Sequence, residues 1–296
     1  MIVVTGATGR TGRRVAEILL AKREKVRAIG RDAKKLAPLV EQGAEPFVGK
    51  LDDVPWVATA FSGAAAVYLV LPEDMSQPDL RAHQEHISNG YAAAITTAHV
   101  PFVVNLSSIG AQHAHGTGPM AGLHNHEQKL NRIEGLNVLH IRAAYFMENL
   151  FRNMVPLRAT GALSGGMPGD VPIPWIATQD IAAYAASRLA ARDLSGSTTR
   201  ELQGQRDISM NEAAAVVGKA IGKPDTAYVQ VPGPMLEAEL LRMGLSKRNA
   251  ELILEMWAGA NAGLIAPEET RSAANSTPTT LESFVREVFV PAYQSM

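Results

Sequence analysis

The chain opens MIVVTGATGRTGRRVAEILLAKRE, residues 1–24, and the reading of this stretch decides the fold. Three apolar residues, Ile2 to Val4, meet a loop with glycines at 6, 9 and 12. Beyond it Val15, Ile18 and Leu19 recur at helical spacing. Strand, glycine loop and helix in that order begin a βαβ unit. A dinucleotide's pyrophosphate needs backbone it can approach without side-chain obstruction, together with the partial positive charge of a helix N-terminus. Gly6-x-x-Gly9-x-x-Gly12 is a spacing variant of GxGxxG, and its context points to dinucleotide binding where the pattern alone would not. The plainer alternative is a tight turn that uses glycines for left-handed backbone. Gly6, Ala7, Thr8, Gly9, Arg10, Thr11 and Gly12 are the candidate contacts.

Working outward, short apolar runs alternate with helical patterns, the signature of a parallel sheet with crossover helices. KVRAIGR (25–31) reads as the second strand, followed by a short helix ending at Gly43, and AEPFVGKL (44–51) as a weaker third. PWVATAFSG (55–63) reads as a helix, and AAAVYLVLP (64–72) is a nearly continuous apolar run, as expected of a strand buried on both faces. A helix over 80–98 precedes PFVVNLSS (101–108), the clearest buried strand. GLHNHEQKLNRIEGL predicts a helix closed by Gly135, and NVLHIR (137–142) a sixth strand. After about Tyr145 the texture changes. Residues 159–174 are rich in Gly and Pro and predict a loop or two short irregular strands. Four helical patterns follow, over 176–192, 209–223, 235–264 and 280–293. The expected organisation is a dinucleotide-binding part over 1–155 and a smaller, mainly helical substrate-side region over 156–296 that partly returns to the first sheet.

An acidic residue after the second strand of such a unit bonds the ribose 2′-OH of NAD, whereas an arginine receives the 2′-phosphate of NADP. Arg31 stands there, with Arg10 in the loop and Lys34 and Lys35 just downstream. Guanidinium makes charge-assisted bonds to phosphate, so Arg31 and Lys35 predict NADP(H). Asp32 is the opposing signal, and one residue of register would keep NAD(H) as the alternative. Leu71, closing the fourth strand's apolar run, and Ser107, ending the fifth strand, complete the candidate cofactor contacts.

Charge balance excludes whole classes of function. Lys and Arg number 28 against 29 Asp and Glu, a net charge of -1, so the chain lacks the basic excess of a charge-driven nucleic-acid binder. There is no cysteine, which removes disulfides, thiolate nucleophiles and cysteine-held metals. No run approaches the length of a membrane span. The strand at the N-terminus leaves no room for a signal peptide, and the expected location is cytoplasmic. His113, His115, His124 and His126 crowd one stretch, but without a spaced third ligand the reading is a polar site entrance and no metal.

TGATGRTG with Arg31, VVNLSSIGA after the fifth strand and RAAYFMENL after the sixth resemble the NmrA-like branch of atypical short-chain dehydrogenases/reductases. VPIPWIATQDIAAYAA, NEAAAVVGKAIGK and TLESFVRE follow that family's order, so the resemblance runs along the whole chain. It implies a Rossmann-type α/β fold, a doubly wound parallel sheet, with NAD(P)(H) bound. Members include NADPH-dependent quinone reductases, reductases of plant phenolics and NADP(H)-sensing regulators. The resemblance therefore implies a small-molecule substrate such as a quinone; a homodimer is left open.

One departure matters. Short-chain dehydrogenases carry Tyr-x-x-x-Lys on the helix after the fifth strand, where the lysine lowers the tyrosine's pKa and the tyrosine serves as acid. Here the matching step runs from Leu123 to Glu127, with His124 one place away. His124 and Tyr145 are the candidate proton donors, although packing against the nicotinamide is the favoured role for Tyr145. Asn149 either orients a carbonyl or caps a helix, and Asp52 replaces the family's usual adenine-placing aspartate. Met147, Met154 and Met167 read as adaptable pocket lining or as core filling.

Overall fold

The computed structural model describes all residues, 1–296. Strands β1 (Ile2–Val4), β2 (Val26–Gly30), β3 (Glu45–Val48), β4 (Ala66–Val70), β5 (Phe102–Ser108) and β6 (Asn137–Ala143) alternate with helices α1 (Arg10–Ala21), α2 (Ala33–Val40), α3 (Val54–Phe61), α4 (Leu80–Ala98) and α5 (Met120–Leu130). Successive side chains of a strand face opposite ways, and the buried residues sort accordingly. Ile2, Val4, Ala66, Tyr68, Phe102 and Val104 enter the core shared with α1, while Val3, Val67, Leu69 and Val103 enter the core shared with α3 and α4. Both faces are covered, which is why these strands read as unbroken apolar runs.

Beyond β6 come β7 (Tyr145–Phe146), a 3-10 segment (Met147–Asn153), α6 (Met154–Thr160), β8 (Leu163–Gly165), β9 (Ile173–Ile176) and α7 (Thr178–Ala191). Then follow β10 (Ser197–Leu202), β11 (Asp207–Ile208), α8 (Met210–Ala220), β12 (Tyr228–Gln230), α9 (Gly233–Arg242) and α10 (Lys247–Asn261). The main sheet has seven strands in the order β10-β6-β5-β4-β1-β2-β3. All of its pairings are parallel, so the fold is the doubly wound, Rossmann-type α/β sheet. The order reverses between β1 and β4, and the crevice at that switch point is where open α/β sheets take their ligands. Two small sheets, β11-β9-β7 and β12-β8, support a third core around Trp175, Leu157, Phe284 and Phe289.

Three local readings change, and one strand is added. The helix expected to close at Gly135 stops at Leu130, and Gly135 sits with φ +74° in the turn before β6. The helical run over 235–264 is two helices, broken where Gly244 takes φ +90°. The C-terminal run over 280–293 is interrupted by a π-helical stretch, Val285–Phe289. The seventh strand, β10, had no sequence reading at all; it is an edge strand whose first four residues are exposed or half-buried. No helix is long and apolar enough to cross a membrane.

Candidate functional site

A cleft of about 940 Å³ opens over the switch point. Its floor begins at the glycine loop. Gly6 takes φ +60°, the left-handed region, and its carbonyl accepts from the Gly9 amide at 2.8 Å. A Cβ on Gly12 would lie 2.3 Å from that carbonyl oxygen, so the third glycine lets α1 press against the loop. Gly9 caps α1 with no side-chain bond, and the first turn carries no acidic residue, so the helix's free amides face the cleft unneutralised. Thr5 ties the strands beneath, donating to the Tyr68 carbonyl at 3.0 Å and accepting from the Val70 amide at 2.9 Å.

Of the residues singled out in the loop, Gly6, Thr8, Gly9, Arg10 and Thr11 line the cleft. Ala7 is fully buried in the core beneath, and Gly12 contributes by its packing. Arg31 lines the cleft from the end of β2. Its side chain is 77% exposed and 3.9 Å from Asp74, which leaves the guanidinium free to turn toward an anion. The carboxylate of Asp32 caps α2 instead, accepting from the Lys34 amide at 2.8 Å. Lys35 is exposed and outside the lining; Lys50, one of the lining residues, had no assigned role in the sequence reading. Asp52 lines the same end, and its carbonyl accepts from the His86 imidazole.

Leu71 and Ser107 line the middle of the cleft. Ser107 donates to Glu127 at 2.5 Å, and Glu127 is buried at 1% exposure. Arg142 of β6 closes on the same carboxylate through Nε at 3.2 Å and Nη2 at 2.8 Å, and reaches Glu268 at 3.6 Å. At the position where the short-chain dehydrogenases place their lysine, this chain has a carboxylate that accepts the serine's hydrogen bond and neutralises an arginine. The hydroxyl thus presents lone pairs to the cleft.

The structure does not bring His124 into the cleft. Its Nδ1 lies 2.9 Å from the Ala111 carbonyl, and the helix turn presents Leu123 and Met120 to the cavity instead. His126 points the other way, buried against Ser88 at 2.8 Å. No three His, Asp or Glu side chains are placed to hold a metal. Tyr145 does line the cleft, edge-on to Trp175 with ring centroids 4.9 Å apart. Desolvation pushes its phenol up to about 12, partly offset by Arg152 and the Asn149 side chain. A phenol held that high keeps its proton and donates it poorly. Of the methionines, Met167 lines the cleft, while Met147 and Met154 pack in the third core.

The far wall is α10, through Ile253, Met256, Trp257, Ala260 and Asn261. Asn249, fully buried on the same helix, fastens it to the loop after β4. Its Oδ1 accepts from the Leu80 amide at 2.9 Å, and its Nδ2 donates to the carbonyls of Gln77 at 2.7 Å and Met75 at 3.3 Å. Arg152 lines this end too, beside Tyr145 and a Glu73 carboxyl that desolvation raises. Sequence reading missed Arg152, Trp257 and Asn249; a tryptophan on an amphipathic helix was the one available signal.

Fold and site together define a Rossmann-type α/β protein with an apolar wall facing its glycine-loop crevice. The NmrA-like family model matches residues 1–285, and the chain belongs to that family. It is 27% identical over 267 residues to an NAD(P)H azoreductase of Xenophilus azovorans, covering 90% of this chain and 89% of that one. It is 27% identical over 285 residues to quinone oxidoreductase 2 of Escherichia coli, covering 95% of each. Among solved structures, an NADPH-dependent quinone oxidoreductase from Escherichia coli in complex with NADPH superposes with a TM-score of 0.80. That pair is 24% identical and covers 98% of this chain and 100% of the other.

Proposed function

We propose that this protein is an NADPH-dependent reductase of a quinone or a similar conjugated carbonyl. Residues 1–155 would hold the dinucleotide and residues 156–296 would form most of the acceptor's wall. The observation that carries the reading is the composition of the cleft: a glycine cradle at one end, an apolar wall at the other, and no Tyr-x-x-x-Lys acid between them. Ser107 is committed to Glu127, the Tyr145 phenol is pushed up to about 12, and His124 lies outside the lining. A ketone's reduction needs such an acid; a quinone's does not, because the charge it gains is delocalised and water can protonate it.

NADPH fits the residues present and would supply a hydride, so that a quinone, that hydride and one proton from water yield hydroquinone and NADP⁺. The uncapped amides of α1 would take the pyrophosphate, Arg31 the 2′-phosphate, and Ser107 would present lone pairs to a donor in the middle of the cleft. With Asp32 committed to its helix, NADP(H) is favoured over NAD(H). Of the relatives named above, the quinone oxidoreductase supports this acceptor, and the azoreductase supports a reductase that uses NAD(P)H. The test is anaerobic NADPH consumption with a panel of quinones. Turnover with at least one member supports the reading, and none with any member overturns it.

A second reading, an NADP(H) sensor, is favoured by one observation. Arg31 lies 3.9 Å from Asp74, and the same loop is fastened through Asn249 to α10, so the candidate 2′-phosphate residue and the far wall meet at one loop. A sensor must bind oxidised and reduced cofactor with different affinity. Calorimetric titration with each form decides it, and equal affinities exclude it.

A further inference from the structure

A second chamber of about 560 Å³ lies behind the far wall of the cleft, and nothing in the reading so far uses it. Trp257 and Asn261 line both spaces, so the two are separated by one indole and one amide. The indole lies flat on Gly166, where a Cβ would come within 2.7 Å of the ring. A glycine in that place lets the partition sit on bare backbone. The amides of Asn261 and Gln230 both turn toward the Gly166 carbonyl, each at 3.4 Å. Val231, Pro234, Leu236, Leu254 and Ala258 make the remaining wall largely apolar. No lysine, arginine or histidine lines the chamber, and Glu237 is its one ionisable side chain. The outer wall is α9, in which no residue is buried.

We propose that this chamber is a subsite for an extended, uncharged apolar arm of the acceptor, with Trp257 as the partition the arm passes. The inference rests on the reductase reading and narrows it to acceptors whose reducible ring carries such an arm. Burial against Leu236, Leu254 and the indole rewards each methylene that enters. The Glu237 carboxylate, with no cation to balance it, disfavours an arm that ends in a carboxylate of its own.

The test compares a benzoquinone bearing a methyl group, the same ring bearing a hexyl arm, and a ring whose arm of equal length ends in a carboxylate. In the wild type the hexyl compound is expected to exceed the methyl one about tenfold in kcat/KM, the return for burying about two methylenes. The carboxylate-ended arm is expected to lose most of that advantage. Ala258→Trp fills the chamber from an exposed position on α10, where added bulk does not strain the core, and is expected to bring the hexyl-to-methyl ratio close to one. A wild-type ratio near one, or a ratio that Ala258→Trp leaves unchanged, overturns the proposal. Calorimetric binding of the methyl and hexyl compounds to NADPH-loaded wild type and Ala258→Trp reads the chamber without turnover. If the hexyl arm binds more tightly only in the wild type and neither compound is reduced, the reductase reading falls and the subsite stands. If both are reduced and bind alike, the subsite falls and the reductase reading stands.

Discussion

The glycine-loop end of the cleft is made of backbone, and the opposite end, the proposed acceptor end, is made of side chains. At the first, Gly6, Gly9 and Gly12 strip the surface so that amides of α1 stand open, and Arg31 is an exposed cation at the rim. Between the two a buried carboxylate fixes Ser107 and Arg142, and at the second α10 brings Met256 and Trp257 from far along the chain. A backbone cradle depends on its glycines and not on the side chains around them. A side-chain wall can be rebuilt one residue at a time, which is how one fold carries different acceptors.

Breaking the Glu127 network between the two ends is expected to cost most. Glu127→Ala strands the Arg142 guanidinium beside a single, exposed Glu268, and loss of a partner from a buried ion pair costs about 3–5 kcal/mol. Urea unfolding reads it; a loss below 1 kcal/mol on the scale of an exposed pair (about 0–1) would show that the network is not structural. Gly12→Ala comes next. Its Cβ meets backbone, which cannot step aside as a side chain can, so an overpacking cost of about 1–3 kcal/mol is expected with a fall in dinucleotide affinity. Thermal unfolding with and without NADPH separates the two effects.

Arg31→Glu sharpens the contrast within the nucleotide end. NADPH affinity is expected to fall by about 1.5–3 kcal/mol, the worth of charge-assisted bonds, with NADH far less affected. Equal losses for the two would remove Arg31 from the 2′-phosphate. A smaller effect comes from acid. Burial holds His126 down to about 3 and His140 down to about 4, below the ordinary 6.5. The unfolded chain therefore binds these protons first, and stability is full above pH 6.5 and falls as pH drops toward 4. Replacing both by Asn is expected to flatten the dependence of the unfolding midpoint over that range. Smallest of all is Met235→Lys on α9, an exposed site where a change within about ±0.5 kcal/mol is expected.

How much of this was legible in the sequence divides along the same line. Glycine spacing and strand alternation are local signals, so the loop, Arg31 and the first six strands could be read directly. β10 could not, because an edge strand with four exposed or half-buried residues carries little apolar pattern. The reading of His124 failed on geometry: a helix turns about 100° per residue, and one position of register separates the cleft-facing Leu123 from its neighbour. Glu127 was visible as a residue but not as a role. Its partners lie 20 and 15 positions away and meet it only through the stacking of β5, β6 and α5. Trp257 and Asn249 are further off still, since no local rule says which loop an amphipathic helix will cover.

The cleft is proposed to pass hydride from bound NADPH to a quinone without a protein thiol or a Tyr-x-x-x-Lys acid. A single-turnover experiment tests it most directly: protein loaded with one equivalent of NADPH is mixed anaerobically with methyl-benzoquinone. The account predicts loss of the reduced nicotinamide's absorbance, one equivalent per chain, faster than free NADPH reacts with the same quinone. Absorbance that persists, or decays at the rate of the protein-free mixture, would contradict it.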